Sequence, residues 1–202
     1  MTDMKETAAQ TEVDGEKTQI LTPVAKPAFK DSEQFKSEQK RIEDMITAGA
    51  PLSEILTNLC LMIEAQSPEM ICSILLLSDD GNHVRHAVAP SLPTNYVKVI
   101  DGSPIGPKHG SCGTAMYRGK PVIVTDISTD PLWEEYRNFA WAIGVAACWS
   151  TPIMSSKRKV LGSFAMYYRE RRGPKGREWR LTEVATKLAS RAIEHRVQKT
   201  HS

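Results

Sequence analysis

The sequence contains no apolar run approaching the roughly 20 residues needed to cross a bilayer, and its opening stretch, MTDMKETAAQTEVDGEKTQ, has none of signal-peptide length. Both absences predict a soluble, cytoplasmic chain with no membrane partner. An excess of one charge is missing too: 26 basic residues face 24 acidic ones, a net charge of +2, so the chain as a whole has no electrostatic attraction to nucleic acid. Cysteine is scarce. Cys60, Cys72, Cys112 and Cys148 are widely separated, show no paired metal-ligand spacing and sit mostly in apolar surroundings, the pattern of buried thiols in a reducing compartment. His83, His86 and His109 form no metal-binding repeat with them, so no metal is expected. Internal repeats and low-complexity tracts are also absent.

What remains is enough for one domain: 202 residues, 41% of them hydrophobic. Residues 1–30 are rich in Thr, Glu, Lys, Ala and Pro and read as a flexible leader. Over 31–50, Phe35, Ile42, Met45 and Ile46 recur at helical spacing, predicting an amphipathic helix that Gly49 and Pro51 interrupt. The domain proper, 51–199, begins with a second helix carrying Leu52, Ile55, Leu56, Leu59, Met62 and Ile63 on one stripe. ICSILLLS, DDGN and HVRHAVA then read as a β-hairpin. PSLPTNYVKVIDGSPIGPKHG reads as a loop, SCGTAMYRG as a short helix and PVIVTDI as a strand that Pro121 begins. A helix is expected from Asp130-Pro131, with Leu132, Tyr136, Phe139, Ala140 and Ile143 on one face. VAACWSTPI and VLGSFAMYY form a second hairpin, and LTEVATKLASRAIEHRVQ a final helix. Hairpins mixed with helices predict an α+β fold, an antiparallel sheet with helices on its faces.

Two stretches have the residue types that chemistry needs. Ser111 is a plausible N-cap, and the unpaired first-turn N–H groups of Cys112, Gly113 and Thr114 suit an anion, with Lys108 and His109 upstream to supply charge and donors. An ordinary capped helix packed on the sheet accounts for the same residues. In ACWSTPI, strand alternation puts Cys148 and Ser150 on one face and Trp149 and Thr151 on the other. Trp149 is then either core or a stacking surface for a planar ligand. Trp133 and Tyr136 belong to the helix after Asp130, and Thr125 and Asp126 end the preceding strand, where they serve either as polar readers or as turn formers. The basic run RERRGPKGREWR reads as a solvated loop rather than a nucleic-acid surface.

From about Leu52 to Val197 the chain resembles a GAF domain, a small-ligand sensing module of bacterial signalling proteins and cyclic-nucleotide phosphodiesterases; the likeness rests on IDGSPIGPKHGSCGTAMYRGKPVIVTDISTDPLW, ACWSTPI and VLGSFAMYYRE. It is similar in kind to the GAF domains joined to diguanylate cyclase, histidine kinase or PAS modules. The resemblance implies a central antiparallel sheet with a ligand pocket on one face and dimerising terminal helices on the other. It assigns Ser111, Cys112, Gly113 and Thr114 to a ligand cradle, Thr125 and Asp126 to polar recognition, and Trp133, Tyr136 and Trp149 to the pocket walls. The implied function is a non-enzymatic sensor of a cyclic nucleotide, cyclic AMP ahead of cyclic GMP, that controls an output module such as a diguanylate cyclase, as a homodimer and without a cofactor. Free methionine-R-sulfoxide reductases share the fold and a turn like Cys112 to Ala115. That family needs further cysteines, including one in the loop that here reads DPLWEEYRN and has none. A ligand-free dimerisation module is the other alternative. No pattern for haem, bilin or iron is present.

Overall fold

Residues 32–200 are described by the structure, a computed structural model, with side chains described from 33 to 198. The expected leader lies outside them. Helix α1 (Ser32–Ala48) turns Ile42 and Ile46 inward and ends where Gly49 adopts a left-handed φ of 74°, which L side chains rarely adopt. The N–H of Ala50 then returns to the Met45 carbonyl. Helix α2 (Leu52–Glu64) buries Ile55, Leu56, Leu59 and Ile63.

Strands β1 (Ile71–Leu77) and β2 (Val84–Val88) form the first hairpin, with a register shift between Ile74 and Leu75. β3 (Val122–Val124) is short, and β4 (Ala147–Met154) and β5 (Val160–Tyr168) form the second hairpin. The sheet order is β2-β1-β5-β4-β3 and every pairing is antiparallel. Pro152 is tolerated in β4 because β3 pairs only from Cys148 to Ser150, so the missing Pro152 N–H lies beyond the end of the neighbouring strand.

Alternation along the strands builds two cores. One, on the side of α1, α2 and the long helix α6 (Gly176–Thr200), contains Ile74, Trp149, Ile153, Phe164 and Met166. The other contains Leu75, Cys148, Ala165 and Tyr167 beneath helices α3 (Thr94–Ile100), α4 (Gly110–Arg118) and α5 (Arg137–Ala142). The antiparallel α+β architecture expected from the sequence is the one observed.

Two local expectations differ. Helix α3 lies inside the stretch read as a loop; Pro93 stands at its N-cap position and the N–H groups of Tyr96 and Val97 return to its carbonyl. The helix expected from Asp130 is a 3₁₀ turn over Pro131–Trp133 followed by the separate α5. Asp130 does cap it, accepting from the Leu132 N–H at 2.8 Å. The break leaves Phe139 43% exposed rather than on a buried face.

Candidate functional site

On the second face of the sheet, α3, α4 and the 3₁₀ turn enclose a cavity of about 30 Å³. That volume holds about two water molecules. Its floor is Leu75, Val84 and Tyr167, its walls include Tyr96, Ile100 and Ser103, and its rim is His109 to Gly113 with Trp133 and Tyr136.

The rim depends on one backbone reversal. Gly110 adopts φ 58° and opens α4, so that His109, not Ser111, occupies the N-cap position. Ser111 as an N-cap is therefore corrected. Being one residue inside the helix, its hydroxyl points at the sheet, donates to the Cys148 carbonyl at 3.0 Å and accepts from the indole Nε1 of Trp133 at 3.0 Å. It clamps the 3₁₀ turn, α4 and β4 together. Thr114 is fully buried and its hydroxyl accepts from the His109 N–H at 3.1 Å, which fixes the turn without lining the cavity. A Cβ at Gly113 would lie 3.0 Å from the His109 Cβ and 3.1 Å from the Pro104 carbonyl oxygen, so the α4 start packs closely against the preceding loop and a larger residue there would push that loop back by a few tenths of an ångström.

Below the rim lies a polar cluster. Cys112 lines the cavity, and its sulfur is 3.9 Å from the Tyr167 hydroxyl, which is 3.2 Å from that of Ser73. The neighbouring Cys148 thiol draws the Cys112 pKa down to about 7; Ser150, Tyr167 and Ser163 act in the same direction against the opposing effect of burial. Burial pushes the Cys148 thiol and the Tyr167 phenol up. Ser150 and Ser163 are completely buried, and neither hydroxyl makes a hydrogen bond of normal geometry. His109 Nδ1 is also buried without a hydrogen-bond partner, 3.9 Å from a carboxylate oxygen of Glu135.

Of the eleven residues singled out from the sequence, His109, Ser111, Cys112, Gly113, Trp133 and Tyr136 meet at the cavity. The others do not. Lys108 is exposed and outside the lining, and no Lys or Arg lines the cavity among the described residues, so the anion cradle lacks its expected charge. Thr125 is exposed. Asp126 closes a turn instead: its Oδ1 accepts from the Ser128 N–H at 2.9 Å and from the Ser128 hydroxyl at 2.6 Å, and Arg171 is 3.3 Å away. The Ser128 hydroxyl holds the Asp126 carboxyl below the usual carboxylate range. Trp149 is not a wall of this cavity. It lies on the α6 side of the sheet, stacked on Tyr168 at 4.7 Å between ring centroids, with its Nε1 donating to the Arg172 carbonyl at 3.2 Å and the Arg172 guanidinium 5.4 Å above its ring.

Sequence reasoning missed Tyr96, Ile100 and Ser103, because the helix that brings them was read as a loop. It missed Tyr167 as well, although two-residue alternation within VLGSFAMYY groups it with Ser163 and Ala165. The missing information was the register, which sets Tyr167 opposite Cys148.

Known proteins place this geometry. A curated relative, the methyl sulfide methyltransferase-associated sensor of Methanosarcina acetivorans, is 38% identical over 166 residues, 82% of this chain. The chain spans only 17% of that relative's length. Among solved structures, the GAF domain from an Acinetobacter phosphoenolpyruvate-protein phosphotransferase superposes with a TM-score of 0.63 at 16% identity, covering 85% of this chain and all of the other. The free methionine-R-sulfoxide reductase from Neisseria meningitidis, in complex with its substrate, superposes with a TM-score of 0.65 at 13% identity, over 88% of this chain and 99% of the other. At those identities both structures report the fold alone. Since the GAF domain model matches residues 49–194, the α2-to-α6 body that holds both faces of the sheet, the chain belongs to the GAF domain family.

Proposed function

We propose that this GAF domain is a sensory module that admits a compact small molecule to the cavity beneath α4 and passes its occupancy through the sheet to α1 and α6. The observation that carries this reading is the convergence of a buried, unpartnered His109 Nδ1 and the Cys112 thiol on an otherwise mostly apolar space, the usual make-up of a small-ligand site. The Methanosarcina relative's description as a sensor supports it.

The output is a module elsewhere in the same polypeptide or in a partner, with a diguanylate cyclase or histidine kinase as candidates, and the four thiols suit a cytoplasmic setting. A homodimer through α1 and α6 is the simplest relay. These helices already pack on one another, with Arg191 and Glu43 3.1 Å apart, and light scattering reports the assembly directly.

Cyclic AMP or cyclic GMP fits this site only in an opened form. A nucleotide-sized ligand fills roughly 300 Å³ or more, about ten times the present volume. Admitting it requires the 3₁₀ turn and α5 to move off the sheet, breaking the Trp133–Ser111 hydrogen bond. A thermal-shift panel separates the two forms, because a ligand that binds only the folded state raises its melting temperature. The panel holds both cyclic nucleotides, their linear monophosphates and compact molecules, dimethyl sulfide among them because the relative's name mentions methyl sulfide. The expected result is a rise with a compact ligand and none with the nucleotides. A rise with cyclic AMP, lost in Tyr136→Ala, would make the opened form the liganded one. A flat panel would sink the sensor reading in favour of a dimerising spacer.

One observation favours an enzyme as second reading: the Cys112 thiol faces the cavity and is readily ionised. Turnover of free methionine sulfoxide in a coupled NADPH assay would establish a reductase, and absence of turnover would remove it.

A further inference from the structure

We infer that the guest of the cavity beneath α4 is a compact neutral hydroxyl compound, an alcohol of one or two carbons. This assignment rests on the reading of that cavity as a ligand site and gives its ligand a chemical class.

Size sets the first limit. A space of about 30 Å³ accepts only two or three non-hydrogen atoms. Charge sets the second. No Lys, Arg, Asp or Glu lines the cavity among the described residues, so an anion finds no basic side chain in the walls. A cation would face the N–H groups of Gly110, Ser111 and Cys112, which open α4 without acceptors inside the helix. His109 Nδ1 is turned to a Glu135 carboxylate oxygen, 3.9 Å away. A charge taken from water into such walls is poorly compensated, and the guest that fits is neutral.

Hydrogen bonding sets the third limit. Two serine hydroxyls line the space, and both protons are committed to backbone carbonyls: Ser103 donates to Val99 at 3.2 Å and Ser111 to Cys148 at 3.0 Å. The Trp133 indole N–H is committed as well, to Ser111. What the two serines still offer is lone pairs, so the guest must bring a donor. The first-turn N–H groups of α4 need the reverse, an acceptor. A hydroxyl supplies both at one atom, and its methyl or ethyl group has Leu75, Val84 and Ile100 to pack on. Dimethyl sulfide is small enough and packs equally well on those side chains, but a thioether has no donor and is only a weak acceptor. It would leave the serine lone pairs dry and unmatched.

A guest of so few atoms binds no more tightly than about the millimolar range, so the test is a titration of the isotope-labelled native full chain followed by its amide chemical shifts. The probes are methanol, ethanol, dimethyl sulfide, methylammonium and formate. Methanol or ethanol is expected to shift the amides of Gly110, Ser111 and Cys112 saturably, and the other three to bind at least about tenfold more weakly. Ser103→Ala, which removes an acceptor from the wall, should weaken the alcohol by about tenfold and leave dimethyl sulfide unchanged. The ranking of probes on the unmutated chain decides the matter even where that variant does not fold. Dimethyl sulfide equal to or tighter than the alcohols would overturn the class and leave the ligand site standing. So would a preference for formate, or for methylammonium, whose countercharge would then be a Cys112 thiolate. Alcohol shifts that grow without saturating, or that saturate away from α4, would overturn it too. Saturable alcohol binding at α4 with no accompanying shift in α1 or α6 would uphold the class and remove the relay to the helices from the sensory reading.

Discussion

On the helix side of the sheet, Ile42, Leu56, Leu59, Ile63 and Ile74 are each 0% exposed and present only carbon to one another. On the cavity side, the same three central strands present Ser73, Ser150, Ser163, Cys148 and Tyr167, also buried. The register gathers them. Ser73 and Ser150 flank Ala165 from either side, and Tyr167 stands between Ile71 and Cys148. Burying a hydroxyl without a partner costs free energy that a methyl group would not, so the cavity side is poorly designed for stability alone. The helix side holds the domain together, and the other is free to be reactive.

That division is broken most directly on the helix side. Leu59→Ala removes a fully buried side chain between α2 and the sheet and is expected to cost about 2–5 kcal/mol, read as a fall in the denaturant midpoint. A loss under about 1 kcal/mol would mean that the two sides are packed alike. Trp149→Phe, on the same side, removes the hydrogen bond to the Arg172 carbonyl and weakens the cation–π contact. The expected cost is about 1–2 kcal/mol, with ligand response and the rate of Cys112 alkylation unchanged. A variant that lost either response without losing stability would return Trp149 to the functional face.

Trp133→Phe takes the comparison to the other side. It removes the donor to Ser111 and with it one of the two bonds that clamp the cavity rim. Stability should fall by only about 0.5–1.5 kcal/mol, whereas modification of Cys112 by a small maleimide should quicken severalfold as the rim loosens. An unchanged rate would show that the rim is held by packing and not by this bond.

The sequence made the stabilising side legible and the reactive side only in part. Helical stripes such as Ile55, Leu56, Leu59 and Ile63, and the alternation of β4 and β5, follow from local periodicity and predict burial without knowledge of the partner. The cavity is assembled from residues far apart in the chain, Ser73, Tyr96, Cys112, Cys148 and Tyr167, and only strand register and the turn at Gly110 bring them together. Trp149 shows the limit well. Its strand face is readable from alternation, but which core lies behind that face is not. Ser111 shows another: serine before an apolar helix has the signature of a cap, and the left-handed Gly110 puts the cap two residues earlier, at His109, and turns Ser111 from a cap into a clamp.

The smallest change in stability should accompany the most informative change in chemistry. Ser163 is fully buried and its hydroxyl makes no conventional hydrogen bond, so Ser163→Ala discards a desolvated polar group and leaves the strand pairing with Leu75 and Pro152 in place. Stability should move by no more than about 0.5 kcal/mol, and an increase is as acceptable as a decrease. The same hydroxyl helps to draw the Cys112 pKa down, after Cys148, Ser150 and Tyr167. Without it the thiolate is less favoured, and the midpoint of the pH profile for Cys112 alkylation should shift upward from about 7. If instead the midpoint stayed put while stability fell by about 1–2 kcal/mol, Ser163 would be an ordinary structural hydroxyl with an unseen partner, and the contrast between the two sides of the sheet would shrink to one of composition.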